Sequence, residues 1–139
     1  MRLEVRRQSD LAVRALRALA EVERIKGPAL AELIDTTPGF VSQVLTPLVR
    51  AGWVRSEPGP TGGYALAVDL NEISVLEVIE AVEGATETGL CVLADRPCEE
   101  TGSCALHVPW QRARDGLLRE LAAVSVADSS LTSGLGQSQ

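Results

Sequence analysis

Three thiols and one imidazole, Cys91, Cys98, Cys104 and His107, are the only cysteines and the only histidine in this chain. All four fall in one Gly/Pro-punctuated segment, CVLADRPCEETGSCALH, with gaps of six, five and two residues between successive members. An odd number of thiols set this close together makes a poor disulfide framework and a good metal site. Thiolates with one imidazole are the donor set that zinc or an iron–sulfur cluster takes. Structural zinc usually draws on pairs about two to four residues apart, and the wider gaps here are long enough to wrap an inorganic cluster. The plain alternative is three unrelated buried thiols.

The rest of the chain must position that segment. Its 139 residues make one domain with a core and room for a tail. The charged start MRLEVRRQSD has no secretory character, and no apolar run approaches the roughly 18 residues of a membrane span. Reduced thiols without an export signal point to the cytoplasm. One Phe, one Tyr and two Trp leave a core of Leu, Val and Ala, a composition that favours helices. The net charge of −6 is unevenly spread. Residues 1–55 carry nine Lys/Arg against six Asp/Glu, and residues 56–139 carry four against thirteen. A mildly basic front half removes the objection to a nucleic-acid partner without establishing one.

Apolar periodicity predicts a first helix over residues 10–24, with Leu11, Ala15, Leu19 and Val22 inward and Ser9 as its cap. Lys26-Gly27-Pro28 starts a short second helix carrying Leu30, Leu33 and Ile34 inward. Thr36-Thr37-Pro38 starts a third, through Phe40, Val41, Val44, Leu45 and Leu48 to a stop at Ala51-Gly52. The last two form a helix–turn–helix pair. Residues 53–55 and 64–68 read as strands joined by SEPGPTGG, a β-hairpin wing. Ser74-Val75-Leu76-Glu77 is a capping box opening a helix with Leu76, Ile79 and Val82 inward. A final helix over about residues 108–124 places Trp110, Ala113, Leu117, Leu121 and Val124 on one stripe, too apolar to lie alone. The polar ending reads as a disordered tail.

The fold class expected is therefore mainly α with a small β-hairpin: a winged helix-turn-helix plus a long C-terminal dimerisation helix. The expected divisions are residues 1–70 for DNA binding, 71–107 for the linker helix and cysteine loop, 108–124 for dimerisation and 125–139 for the tail.

Four features in this order, the opening MRL, SDLAVRAL at 9–16, GPTGGYALA at 59–67 and the Cys/Cys/Cys-x-x-His loop, resemble the IscR/NsrR-type winged-helix iron–sulfur regulators of the Rrf-two superfamily. The resemblance covers about residues 1–124. It implies a cytoplasmic homodimer crossed through the last helix, binding a two-fold operator in double-stranded DNA under control of a cluster in the cysteine loop. No membrane partner, small-molecule substrate or enzymatic activity is expected. Two fourth ligands are open. Cys104-Ala105-Leu106-His107 is similar to the branch that completes a 2Fe–2S cluster with a histidine. Ser9-Asp10-Leu11-Ala12-Val13-Arg14 is similar to the nitric-oxide-sensing branch, in which an aspartate of the partner subunit's first helix completes a 4Fe–4S cluster. A local imidazole is the simpler solution, which favours His107 and 2Fe–2S over Asp10 and 4Fe–4S.

Three departures stand out. The first cysteine gap is longer than usual in those branches. Glu57-Pro58-Gly59 stands where relatives carry a wing arginine suited to a narrow minor groove, leaving Arg55 as the nearby substitute. Pro47 inside the third helix should cost about 3 kcal/mol or force a kink. The expected base readers are Thr37, Ser42, Gln43 and Thr46, since short polar side chains and Gln can address base edges. Arg2, Arg6, Arg7, Arg50 and Arg55 are the expected phosphate contacts. The competing readings are a zinc-bound interaction module, a cluster-free thiol/disulfide switch and a Cys–His nucleophile. The last lacks any phosphate loop, acid pair or pocket-building repeat.

Overall fold

The computed structural model describes residues 4–86 and 105–128. The elements in chain order are α1 (Arg7–Leu19), α2 (Gly27–Leu33), α3 (Pro38–Arg50), β1 (Val54–Glu57), β2 (Gly63–Leu66), a 3-10 turn (Leu70–Glu72), α4 (Val75–Glu83) and α5 (His107–Ala123). α1 lies at the centre and packs on α2, α3, β2 and α4. Its stripe Leu11, Ala12, Ala15, Leu16 and Leu19 is fully buried, and Leu30 and Ile34 of α2 join the same core with Val41, Val44, Leu45 and Leu48 of α3. The winged-helix fold expected from the sequence is the fold observed.

The hairpin is antiparallel, pairing Val54 with Leu66 through to Glu57 with Gly63. Ile25 adds a third strand position. Its N–H donates to the Tyr64 carbonyl at 3.0 Å and its carbonyl accepts from Tyr64 at 2.7 Å. The turn depends on two glycines. A Cβ on Gly62 would lie 1.9 Å from the Glu57 carbonyl oxygen, and one on Gly63, at φ +140°, would lie 2.5 Å from that of Ile25. Asp69 holds the next turn by accepting from the Asn71 backbone and side-chain N–H groups at 2.9 and 3.0 Å. Those bonds keep its carboxyl below the usual carboxylate range.

Local expectations fail where distant contacts decide. α1 starts at Arg7, so Ser9 is inside the helix rather than its cap. Ser9 is buried, and its hydroxyl donates to the Glu83 carboxylate at the end of α4. That carboxylate also accepts from the Arg6 backbone N–H at 3.0 Å, so α1 is capped by a residue 77 positions away. α1 ends at Leu19 in a tightened turn, with Glu21 N–H on the Ala18 carbonyl, leaving Val22 exposed. Leu33, expected inward, is 62% exposed. In α4 the capping box forms as expected, but Val78 and Ile79 are the buried pair, with Leu76 and Val82 only half-buried.

α3 runs unbroken through Pro47. The carbonyl that Pro47 cannot serve, that of Gln43, accepts instead from the Gln8 side-chain amide at 3.1 Å. α5 packs on α4 but holds no buried residue; Leu117 is 46% and Val108 53% exposed. Trp110, Leu118 and Leu121 are half-buried, whereas Ala113 is exposed. After α5 the chain returns to the core instead of beginning its tail at residue 125. Val126 is fully buried, its N–H donates to the Ile73 carbonyl at 2.9 Å, and Arg17 reaches its carbonyl at 2.6 Å. The rest of the expected tail, 129–139, lies outside the described residues.

Gly63→Ala is expected to destabilise the fold by about 1–3 kcal/mol through strain at the wing. Gly39→Ala, where an added Cβ meets nothing within 4 Å, should be harmless. Thermal melts of the two variants check this, and equal melting temperatures would contradict it.

Candidate nucleic-acid interface

The presentation of α3 follows from its first residue. Thr37 caps the helix, its Oγ1 accepting from the Phe40 N–H at 3.2 Å, and Pro38 fixes the first helical turn. With the register set, Val41, Val44, Leu45 and Leu48 face the core, and Gly39, Ser42, Gln43, Thr46 and Arg50 are exposed on the outside. The Ser42 and Gln43 side chains make no hydrogen bond among the described residues, so their full capacity faces outward. Thr46 is partly committed, since its hydroxyl donates to the Ser42 carbonyl at 2.7 Å and keeps only its acceptor capacity. Thr37 has given its acceptor to the cap. Among the expected readers, Ser42 and Gln43 are therefore the best placed.

The expected phosphate contacts divide similarly. Arg50 in the last turn of α3 and Arg55 on β1 are exposed, as is Arg6 at the N-cap of α1. Arg7 reaches across to the Asp35 carbonyl at 3.4 Å, tying α1 to the α2–α3 turn. Asp35 there adopts φ 58°, in the left-handed region. Arg2 lies outside the described residues.

Two cations at the wing were missed. Arg24 Nη1 lies 2.8 Å from Glu57 Oε2 and donates to the Thr61 carbonyl at 2.9 Å, while the Lys26 ammonium donates to the Pro60 carbonyl. The wing that lacks an arginine in its own turn thus gains two cations from the α1–α2 connection, so Arg55 is not the sole substitute. The signal was present in the alternation Arg24-Ile25-Lys26, which is the pattern of a short strand with Ile25 inward. Glu57 offsets one of the two charges.

Of the expected metal ligands, Cys91, Cys98 and Cys104 lie outside the described residues. His107 is the first residue of α5, half-buried, with no side-chain hydrogen bond among the described residues. Asp10 is 50% exposed in the first turn of α1, its Oδ2 lying 3.2 Å from Arg14 Nε. No group of three or more His, Cys, Asp or Glu suited to a metal occurs among the described residues. No helix among them is long and apolar enough to cross a membrane.

A sequence profile of the Rrf2 family, described as iron-dependent transcriptional regulators, matches residues 5–130. The chain belongs to the Rrf2 family. The Lactococcus lactis protein YffB is 31% identical over 127 residues, covering 86% of this chain and 80% of its own length. The HTH-type transcriptional regulator IscR of Photorhabdus laumondii is 32% identical over 89 residues, 64% of this chain and 54% of that protein. Among solved structures, the oxidized form of Staphylococcus aureus CymR superposes with a TM-score of 0.69 at 25% identity, over 89% of this chain and 93% of that one. IscR of T. potens gives 0.69 at 22% identity, over 99% and 93%. This Rrf2 protein is a DNA-binding transcriptional regulator and not an enzyme.

If the wing-side cations face DNA, replacing Arg24 and Lys26 together by Ala should weaken binding to duplexes of any sequence and flatten the salt dependence by about one to two in logarithmic slope. Binding titrations at several salt concentrations read this, and an unchanged slope would take both residues out of the interface.

Proposed function

We propose that this Rrf2 regulator acts in the cytoplasm as a homodimer on a two-fold operator, and that an iron–sulfur cluster on Cys91, Cys98 and Cys104 controls its affinity. The observation that carries the DNA half is the outer face of α3, with Ser42 and Gln43 exposed and uncommitted at the positions a recognition helix offers to base edges. Arg6, Arg50 and Arg55 with Arg24 and Lys26 supply sequence-independent attraction. Arg2 and Arg7 belong to the same set, Arg7 with part of its donor capacity spent on Asp35. The homodimer is supported by α5, which buries nothing fully within its own chain and exposes Val108 and Leu117.

The cluster rests on the chemistry of the donor set. Three thiols fit either a 2Fe–2S or a 4Fe–4S cluster given one further ligand. His107, three residues after Cys104 and without a hydrogen-bond partner among the described residues, fits as that ligand and favours 2Fe–2S. Asp10 of the partner subunit is the alternative, with 4Fe–4S, although in this chain the Asp10 carboxylate is already paired with Arg14. A bound cluster supplies a centre that reacts with oxygen, nitric oxide or iron loss, most readily at its non-thiolate corner. Glu83, which precedes the cysteine segment and bonds the first turn of α1 through Arg6 and Ser9, would link the cluster to the DNA-binding half. A coupling of about 1–3 kcal/mol changes operator affinity several-fold to roughly a hundredfold.

The cluster-free reading has one observation in its favour, the likeness to an oxidized form of CymR. Three thiols within fourteen residues would also serve a disulfide switch. Absorption with iron and sulfide analysis of protein purified without oxygen decides between them. Brown protein with matching iron and sulfide is expected; protein that stays colourless after anaerobic reconstitution would leave the thiol or zinc reading. For the DNA half, Gln43→Ala should lose discrimination between operator and random duplex by about 1–3 kcal/mol, while Arg55→Ala weakens both alike. Equal losses on both duplexes from Gln43→Ala would contradict the assignment.

A further inference from the structure

A proline three residues before the end of a buried helix would leave an ordinary core problem, but Pro47 sits in a helix whose outer face is exposed, and the defect falls on a reader. Lacking an N–H, Pro47 leaves the carbonyl of Gln43, four residues earlier, without its helical donor. Left alone, that carbonyl would tilt toward solvent and the helix would bend at the residue best placed to read a base. The structure fills the vacancy from another helix: Gln8 of α1 donates its side-chain amide to the Gln43 carbonyl at 3.1 Å. One turn of α3 is thereby bonded to the first turn of α1, and the same α1 turn is held from behind by Glu83 through Arg6 N–H and the Ser9 hydroxyl.

We propose that Gln8 is a positioning residue for DNA recognition, fixing the backbone under Gln43 by replacing the hydrogen bond that Pro47 removes. It acts through Gln43 rather than by touching DNA. The proposal rests on the reading of α3 as the recognition helix. It also gives Pro47 a purpose: the helix gives up an internal bond and takes one from α1, so the orientation of the readers depends on where α1 stands. A helix bonded only to itself would carry no such dependence.

The arrangement makes a specific demand on a mutant cycle. In Pro47→Ala the backbone N–H returns, the Gln43 carbonyl is served within α3, and Gln8 has nothing left to supply. Full-length wild type, Gln8→Met, Pro47→Ala and the double variant are compared by affinity for an operator selected from a random pool, affinity for random duplex, and salt slope. Met keeps the length of Gln and removes the donor. In the native background Gln8→Met should lower the ratio of operator to random affinity by about two- to tenfold, the worth of one neutral hydrogen bond, with the salt slope unchanged. In the Pro47→Ala background the same substitution should leave the ratio where it was.

An equal loss in both backgrounds would overturn the proposal, because Gln8 would then be contacting DNA itself. No loss in either background would overturn it as well, provided Gln43→Ala does lose discrimination. If Gln43→Ala also loses none, it is the reading of α3 that fails, and the positioning role falls with it. Should Gln8→Met prove too unstable to assay, Pro47→Ala alone still tests the idea. A helix freed from dependence on α1 should keep its operator preference, and loss of that preference would contradict the account.

Discussion

The buried stripe of α1 is the constraint from which the rest of the molecule follows. Leu11, Leu16 and Leu19 are sealed off from solvent, each contributing about 1.5–3 kcal/mol, and Ala12 and Ala15 between them let neighbouring elements approach closely. α2, α3, α4 and β2 all pack on this one helix. Its first turn also collects the polar ties that leave the core: Glu83 on Arg6 and Ser9, Arg7 on the α2–α3 turn, Gln8 on the Gln43 carbonyl. Near its other end Arg17 holds the returning chain at Val126 and Asp128. Movement of α1 would disturb α3, α4 and the C-terminal return together. If, as proposed, the cysteine segment that follows α4 in sequence senses and the outer face of α3 reads, α1 is the part the two share.

The charge distribution is consistent with that plan. The acidic excess lies behind residue 55, and the basic residues concentrate around α1, the end of α3 and the wing. Arg24 and Lys26, brought to the wing by the strand-like pairing of Ile25 with Tyr64, restore to the hairpin the positive character its own turn lacks. Glu57 tempers it. In the proposed reading the wing would make modest, salt-sensitive contact, with sequence choice left to α3.

Local chemistry was legible wherever a few adjacent residues decide the outcome. The Thr37-Pro38 start of α3, the Ser74/Glu77 capping box and the glycine turn of the wing all formed as the sequence indicates. The outer face of α3 was legible too, because four inward apolar residues fix where the others point. What sequence could not supply were the long-range partners. Ser9 looked like a cap because caps are usually local, yet a carboxylate 74 residues on takes its hydroxyl. Pro47 looked like a defect because its repair comes from α1, 35 residues before the carbonyl concerned. Val22 matched a helical period whose helix ends too early to bury it, and Leu33, the last residue of α2, is exposed while Leu30, Ala31 and Ile34 take the core. Val126 sat in a polar stretch that reads as tail, and only the return of the chain beside Ile73 makes it core. The cysteine segment was conspicuous as chemistry, and its residues up to Cys104 lie outside those described.

The central claim joins two halves, a sensing segment and a reading helix. It is tested most directly by operator affinity measured on one anaerobic preparation before and after removal of bound iron, with random duplex as the reference. The account predicts a change of several-fold to about a hundredfold on the operator, and little change on random duplex. Identical operator affinity in the two states would contradict it.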